Sequence, residues 1–116
     1  MKLAAIPETA PAREVLRRVA SEVGAAAEAL ALVEAQVAAL MAVVSPGDGA
    51  VEKLQALDRL TQQMRAVEVF LCAAAMDAEG ELALAPALDA VLLEGVRARL
   101  AGQGEAAPVP SDVELW

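Results

Sequence analysis

Histidine and tyrosine are absent from this 116-residue chain, aromatic residues make up 2% of it, and cysteine occurs once. Each gap removes a class of chemistry. Without histidine the usual zinc sites, Ser-His-Asp triads, Cys-His pairs and phosphorylatable-histidine transfer domains cannot be built. A single cysteine forms no intrachain disulfide. Cys72 lies in the apolar run VFLCAAAM with no nearby cation in sequence, and it is expected to be a buried, inert thiol. Apart from valine, residues that favour strands are scarce, which argues against a sheet. Basic residues number 9 against 17 acidic ones, giving a net charge of −8 and a pI near 4.4. Only Arg13, Arg17 and Arg18 cluster, too few to make a phosphate-binding face, so nucleic acid is not an expected partner. Neither a cofactor nor a metal site is expected. Glu22, Glu28 and Glu34, spaced by six, share no narrow helical face and are expected to be solvated.

Long apolar runs are also missing. The longest, 37–44 and 69–76, fall far short of the roughly 20 residues that a membrane span needs, so none is expected despite a mean hydropathy of +0.48. The opening MKLAAIPETAP does not read as a signal peptide, because its apolar piece stops at Pro7. The expected location is the cytoplasm. The alanine- and arginine-rich, lysine-poor usage suits a GC-rich bacterium.

What is present is helical periodicity. Leu16, Val19, Val23, Ala26, Leu30, Val33, Val37, Leu40 and Val44 follow an unbroken 3-4 spacing, the signature of a packed helical seam. Thr9 is the expected N-cap of this helix, with Pro11 in its first turn. SPGDG at 45–49 ends it, and Asp48 is the expected cap of a second helix running to about Ala78. The second seam is Leu57, Leu60, Met64, Val67, Leu71 and Ala74, with Leu54 and Thr61 on its shoulder. The short connection makes the two helices antiparallel neighbours, pairing Val19 with Ala74 and Val33 with Leu60. Met41, Met64 and Met76 are expected as core filler. DAEGELALAP at 77–86 reads as a connection, and a third, shorter helix is expected from Pro86 to Leu100, stopped by Gly102.

The fold class predicted is therefore all-α: a long antiparallel helical hairpin plus a short C-terminal helix, of four-helix-bundle type through homodimerisation. The organisation is an N-terminal arm at 1–9, a helical domain at 10–101 and an acidic tail at 102–116. The dimer expectation rests on a second stripe of the first helix, Ala25, Ala29, Leu32, Gln36, Ala39 and Val43, about half a turn from the first. A helix apolar on two sides must be covered on two sides. Gly24 and the alanines after it are expected to allow close backbone approach there.

Asp58 and Gln62 stand one helical turn apart on the second helix, nearly opposite the expected seam, on a side shared with Gln55, Arg65 and Val69, which are expected to contact a partner there. The ordinary account of such a pair is a solvated polar face. Asp58-Arg59-Leu60-Thr61-Gln62 also fits D-x-x-x-Q and so resembles the active motif of CheZ-type chemotaxis phosphatases, over five residues. The resemblance implies a dimeric bundle of hairpins with the motif exposed in mid-helix. It further implies that Gln62 orients a water towards the aspartyl phosphate of a response-regulator receiver domain while Asp58 engages a regulator lysine. The tail SDVELW offers Leu115 and Trp116 as a second candidate contact, since a free apolar C-terminus can be captured as a short motif. Taken together, the residues predict a self-associating protein–protein interaction module of regulatory or adaptor type without catalysis of its own. An auxiliary phosphatase acting through Asp58 and Gln62 is the alternative.

Overall fold

The structure is a computed structural model that describes residues 8–44, 47 and 49–103. The order along the chain is β1 (Thr9–Pro11), α1 (Ala12–Val43), α2 (Ala50–Asp77), β2 (Glu81–Ala83), α3 (Ala85–Asp89) and α4 (Glu94–Leu100). The two long helices form the antiparallel hairpin that the periodicity predicts, and the whole measures 54 × 35 × 20 Å. Residues of the expected N-terminal arm before Glu8, the cap position Asp48, and the tail beyond Gln103, including Leu115 and Trp116, lie outside the described residues.

The ends of the hairpin differ from expectation. Thr9 is not a helix cap: it lies in β1 and pairs with Ala83 of β2, while its hydroxyl donates to Glu81 at 3.0 Å. Pro11 occupies the cap position of α1, where its missing N–H costs nothing. The first helical amide, that of Ala12, donates to the Gly80 carbonyl at 2.9 Å. Gly80, at φ 82°, makes the sharp return from α2 into β2 that a residue with a side chain would resist. The connection 77–86 thus contains a strand whose partner is the segment just before α1. Arg13 completes this end by donating from Nε to the Ala75 carbonyl and from Nη2 to the Met76 carbonyl, each at 3.1 Å, on the C-terminal carbonyls of α2.

The expected third helix is broken into α3 and α4, and the cause is visible in the small core beyond the hairpin. Leu88 and Ala101 are both buried in one cluster with Ala10 and Leu84, with Val15 and Leu100 against it. In a continuous helix those two residues would stand about 20 Å apart at 1.5 Å per residue. Folding the chain back at 90–93 lets both reach the same core. The Arg97 guanidinium holds the bend by donating to the Val91 carbonyl. Gly102 and Gln103, the first residues of the expected tail, instead close α4 through amide bonds to the Arg99 and Ala98 carbonyls.

The hairpin seam is rotated by about one residue from the predicted one. Ala20 and Ala27 are buried on α1 and Ala75 on α2, whereas Ala26 is exposed and Leu60 and Val67 remain 43% and 48% exposed. The inward column of α2 is Leu54, Leu57, Thr61, Met64, Glu68, Leu71 and Ala75, again at 3-4 spacing, all buried or half-buried. Both columns satisfy the same periodicity because the apolar arc of each helix is wider than one neighbour can cover. The alanine column wins because small side chains let the two backbones approach most closely. Met41 and Met64 are half-buried as expected, but Met76 is 73% exposed and Cys72 is exposed, since both fall on the outward side of the rotated α2.

Gly24 serves a different purpose from the one expected. Its missing side chain accommodates the Glu68 carboxylate of α2, which a Cβ at that position would strike. α1 also meets the length and composition of a membrane-crossing helix, although its unbroken apolar runs are short. Glu28 and Glu34 interrupt those runs without lowering the average enough to change the result. Both carboxylates sit against α2.

Candidate functional site

The hairpin has two unlike edges, and helix geometry explains them. Residues two apart on an α-helix diverge by about 200°. When Glu28 and Arg65 meet across one edge of the seam, Ala26 and Val67 must therefore stand on the other. The Glu28–Arg65 pair is 2.6 Å long, and Arg65 also bridges to Glu68 at 3.2 Å, so the guanidinium spans both helices. Hydrogen bonds to Glu28 and then Glu68 raise Arg65 above its ordinary pKa, against a smaller opposing effect of burial. This edge is polar. Arg65, expected to face a partner, is committed to α1.

Asp58 lies further along the same edge. Its Oδ2 accepts a 2.7 Å hydrogen bond from Gln62 Nε2. Asp58 and Gln62 are both exposed, one turn apart, and Gln55 and Val69 are exposed on the same side of α2. Asp58 does not stand opposite the seam, however, because the rotated register carries it to the seam's border beside Glu34 of α1. Glu34 Oε2 is buried and has no hydrogen-bond partner among the described residues. Burial, and then the charge of Asp58, raise the Glu34 pKa above the usual carboxylate value of 4.5, and a hydrogen bond to Asp58 contributes in the same direction. Two carboxylates face each other with no donor between them unless one holds a proton.

Of the three glutamates expected in solvent, Glu28 is exposed as expected although it is paired across the seam, while Glu22 and Glu34 are half-buried against other helices. Glu22 accepts from Arg99 Nε at 2.7 Å and ties α4 to α1, Glu28 pairs with Arg65, and Glu34 meets Asp58. Sequence reasoning missed these roles, yet a signal was there: a charged residue inside an otherwise apolar run such as ALALVEAQVAALM needs a polar neighbour or a route to water.

The opposite edge is apolar. Ala26, Val33 and Leu40 on α1 and Leu60, Val67 and Ala74 on α2 lie on this side, with Leu40 at 60% exposure. Near the hairpin turn Val43, Val44 and Val51 are exposed as well. The second stripe named from the sequence occupies the side of α1 away from α2. There Ala25, Ala29, Leu32 and Gln36 are half-buried and Val43 is exposed. α4 covers that side only near Arg18 and Glu22, where Arg18 Nη1 also donates to the Leu100 carbonyl at 3.2 Å.

Among the described residues no group of three or more His, Cys, Asp or Glu side chains is arranged to hold a metal ion. What the site presents chemically is a polar edge closed by its own ion pairs and an apolar edge left open. No curated protein and no solved structure matches the chain. A family model matches residues 8–116, which include every element described above. The chain belongs to DUF8776, a domain of unknown function.

Proposed function

We propose that this protein is a protein–protein interaction module of the cytoplasm, regulatory or adaptor in kind, that offers the apolar edge of its hairpin to helices of another chain. The observation that carries this reading is the pair of apolar columns on one side of a long hairpin, with Leu60, Val67 and Leu40 about half exposed. Apolar surface of that extent, bordered by polar groups, marks an interaction site in a soluble protein. The hairpin supplies rigidity, so little ordering entropy opposes docking. Binding of a lipid bilayer is less favoured. α2, which forms half of the same edge, carries Glu52, Lys53, Arg59 and Asp77 in exposed positions along its length.

The test is proximity crosslinking of the full chain in its native cell, repeated with Leu60→Glu and Val67→Glu. A protein crosslinked by the wild type and lost with both variants supports the reading. A chain that crosslinks to nothing, itself included, refutes it.

The alternative assigns Asp58 and Gln62 to dephosphorylation of a receiver domain. In its favour, both are exposed one turn apart on a rigid helix. Against it, the Gln62 amide is engaged with Asp58 itself and so is not aimed at an incoming water. Purified protein that speeds loss of phosphate from a regulator, with the effect abolished by Gln62→Ala, would establish this alternative. Equal rates with and without the protein would end it.

A further inference from the structure

Phe70 is 69% exposed and borders the open edge, following Arg59 and Gln63 at helical spacing in the column beside Leu60 and Val67. The chain itself approaches this edge from one end. α4 docks on α1 through Arg99 and Glu22, and Glu22 stands in the same column as Ala26, Val33 and Leu40. Past α4, Gly102 at φ 81° lies so close to the Arg18 guanidinium that a Cβ would strike it. The Gln103 amide then donates to the Ala98 carbonyl at 2.8 Å. The chain thus leaves α4 over α1, at the strand-pair end of the hairpin, with residues 104–116 still to follow.

Resting on the interaction role proposed above, we infer that residues 104–116 occupy the open edge within the same chain and are displaced from it when a partner docks. Reach permits this. The contacts of Gly24 with Glu68 and of Glu28 with Arg65 put Arg18 level with the region of Ala75. From there to Leu60 is about 22 Å along the axis and about 20 Å across the two helices, or about 30 Å in all. The segment, fully extended, spans about 43 Å. Its composition agrees. GEAAPVPSDVELW has no basic residue and sets Val109, Val113, Leu115 and Trp116 among Glu105, Asp112 and Glu114. The polar edge, with Glu28, Glu34, Asp58 and Glu68, repels such a segment. The open edge offers it apolar side chains from Phe70 to Leu60, with Arg59 and Lys53 next in those two columns. Both cations are exposed and pair with no acid among the described residues, while Glu52 and Asp77 lie beyond the two ends of the patch. The family match also continues through these residues to 116, so the segment is part of the domain that the family shares. A segment tethered this closely acts at an effective concentration of about a millimolar, which a partner has to overcome.

Trp116 reports its own surroundings, because the chain has no other tryptophan and no tyrosine. Its emission maximum and acrylamide quenching are read for the full chain, folded and in urea, over a concentration series followed by light scattering. The expected result is emission to the blue of the unfolded chain and quenching several-fold slower, both independent of concentration. Val67→Glu and Phe70→Glu move both readings to the unfolded values while helicity is retained. Val69→Glu, on the polar side of α2, leaves them unchanged. Trp116→Ala should crosslink several-fold more of the protein captured by the wild type. Emission equal to that of the unfolded chain overturns the inference, as does a blue shift that grows with concentration, the mark of a second copy. A shift indifferent to Val67→Glu and Phe70→Glu overturns it too, and so does a captured protein whose yield Trp116→Ala does not raise. If Trp116 responds to both edge variants while neither the wild type nor Trp116→Ala crosslinks to anything, the interaction role falls and the segment's place on the edge stands.

Discussion

Adding a leucine at either of two adjacent alanines decides which face of α1 closes the hairpin. Ala27 is fully buried, at 0% exposure, while Ala26 is exposed, although the heptad pattern alone favours Ala26 as the seam residue. In Ala27→Leu three carbon atoms enter a seam whose closest approach is set by Ala20, Ala27 and Ala75. Overpacking of that kind costs about 1–3 kcal/mol, and the slightly lower helix propensity of leucine adds only about 0.2 kcal/mol. For a domain of this size a loss of about 2 kcal/mol lowers Tm by roughly 8–16 °C. Ala26 is exposed, so Ala26→Leu should stay within about 0.5 kcal/mol. Both substitutions are read by thermal melting followed by circular dichroism. A larger loss for Ala26→Leu than for Ala27→Leu would show that the seam lies on the other column, and the two-edged hairpin would fall with it.

Glu34→Gln should stabilise the protein at neutral pH by removing a half-buried carboxylate beside Asp58. The sign follows from linkage: the folded pKa of Glu34 is raised, so the native state holds its proton more tightly than the unfolded chain does. Wild-type stability from this group is complete below 4.5 and is lost as pH rises through the folded value, so the variant's advantage grows across that range. A wild-type-minus-variant difference that does not change with pH would refute the assignment. Glu22→Ala and Arg99→Ala should each weaken α4 by about 1 kcal/mol, because their 2.7 Å contact is partly shielded from water. Hydrogen exchange should accelerate in α4 and leave α2 unchanged, and the double variant should lose less than the sum. Uniform acceleration throughout the chain would argue against a local tie.

The helical class, the two long helices, the turn between them and the antiparallel sense are all legible in the amino-acid order. Those properties follow from local signals: apolar spacing, the SPGDG break and a connection too short for any other arrangement. The same order also shows that the apolar arc of each helix exceeds what one neighbour covers. Which part of that arc closes the hairpin is settled by the packing of the two helices. A 3-4 pattern is satisfied equally by two adjacent columns, and the choice depends on how near two backbones can come, a property of both helices at once. The same holds for Asp58, which a sequence places on a helix face but not against Glu34. The strand pair and the bend between α3 and α4 were hidden for a related reason. Thr9–Pro11 and Glu81–Ala83 have little strand character of their own and pair because the hairpin brings its two open ends together, while the bend exists so that Leu88 and Ala101 can share one core.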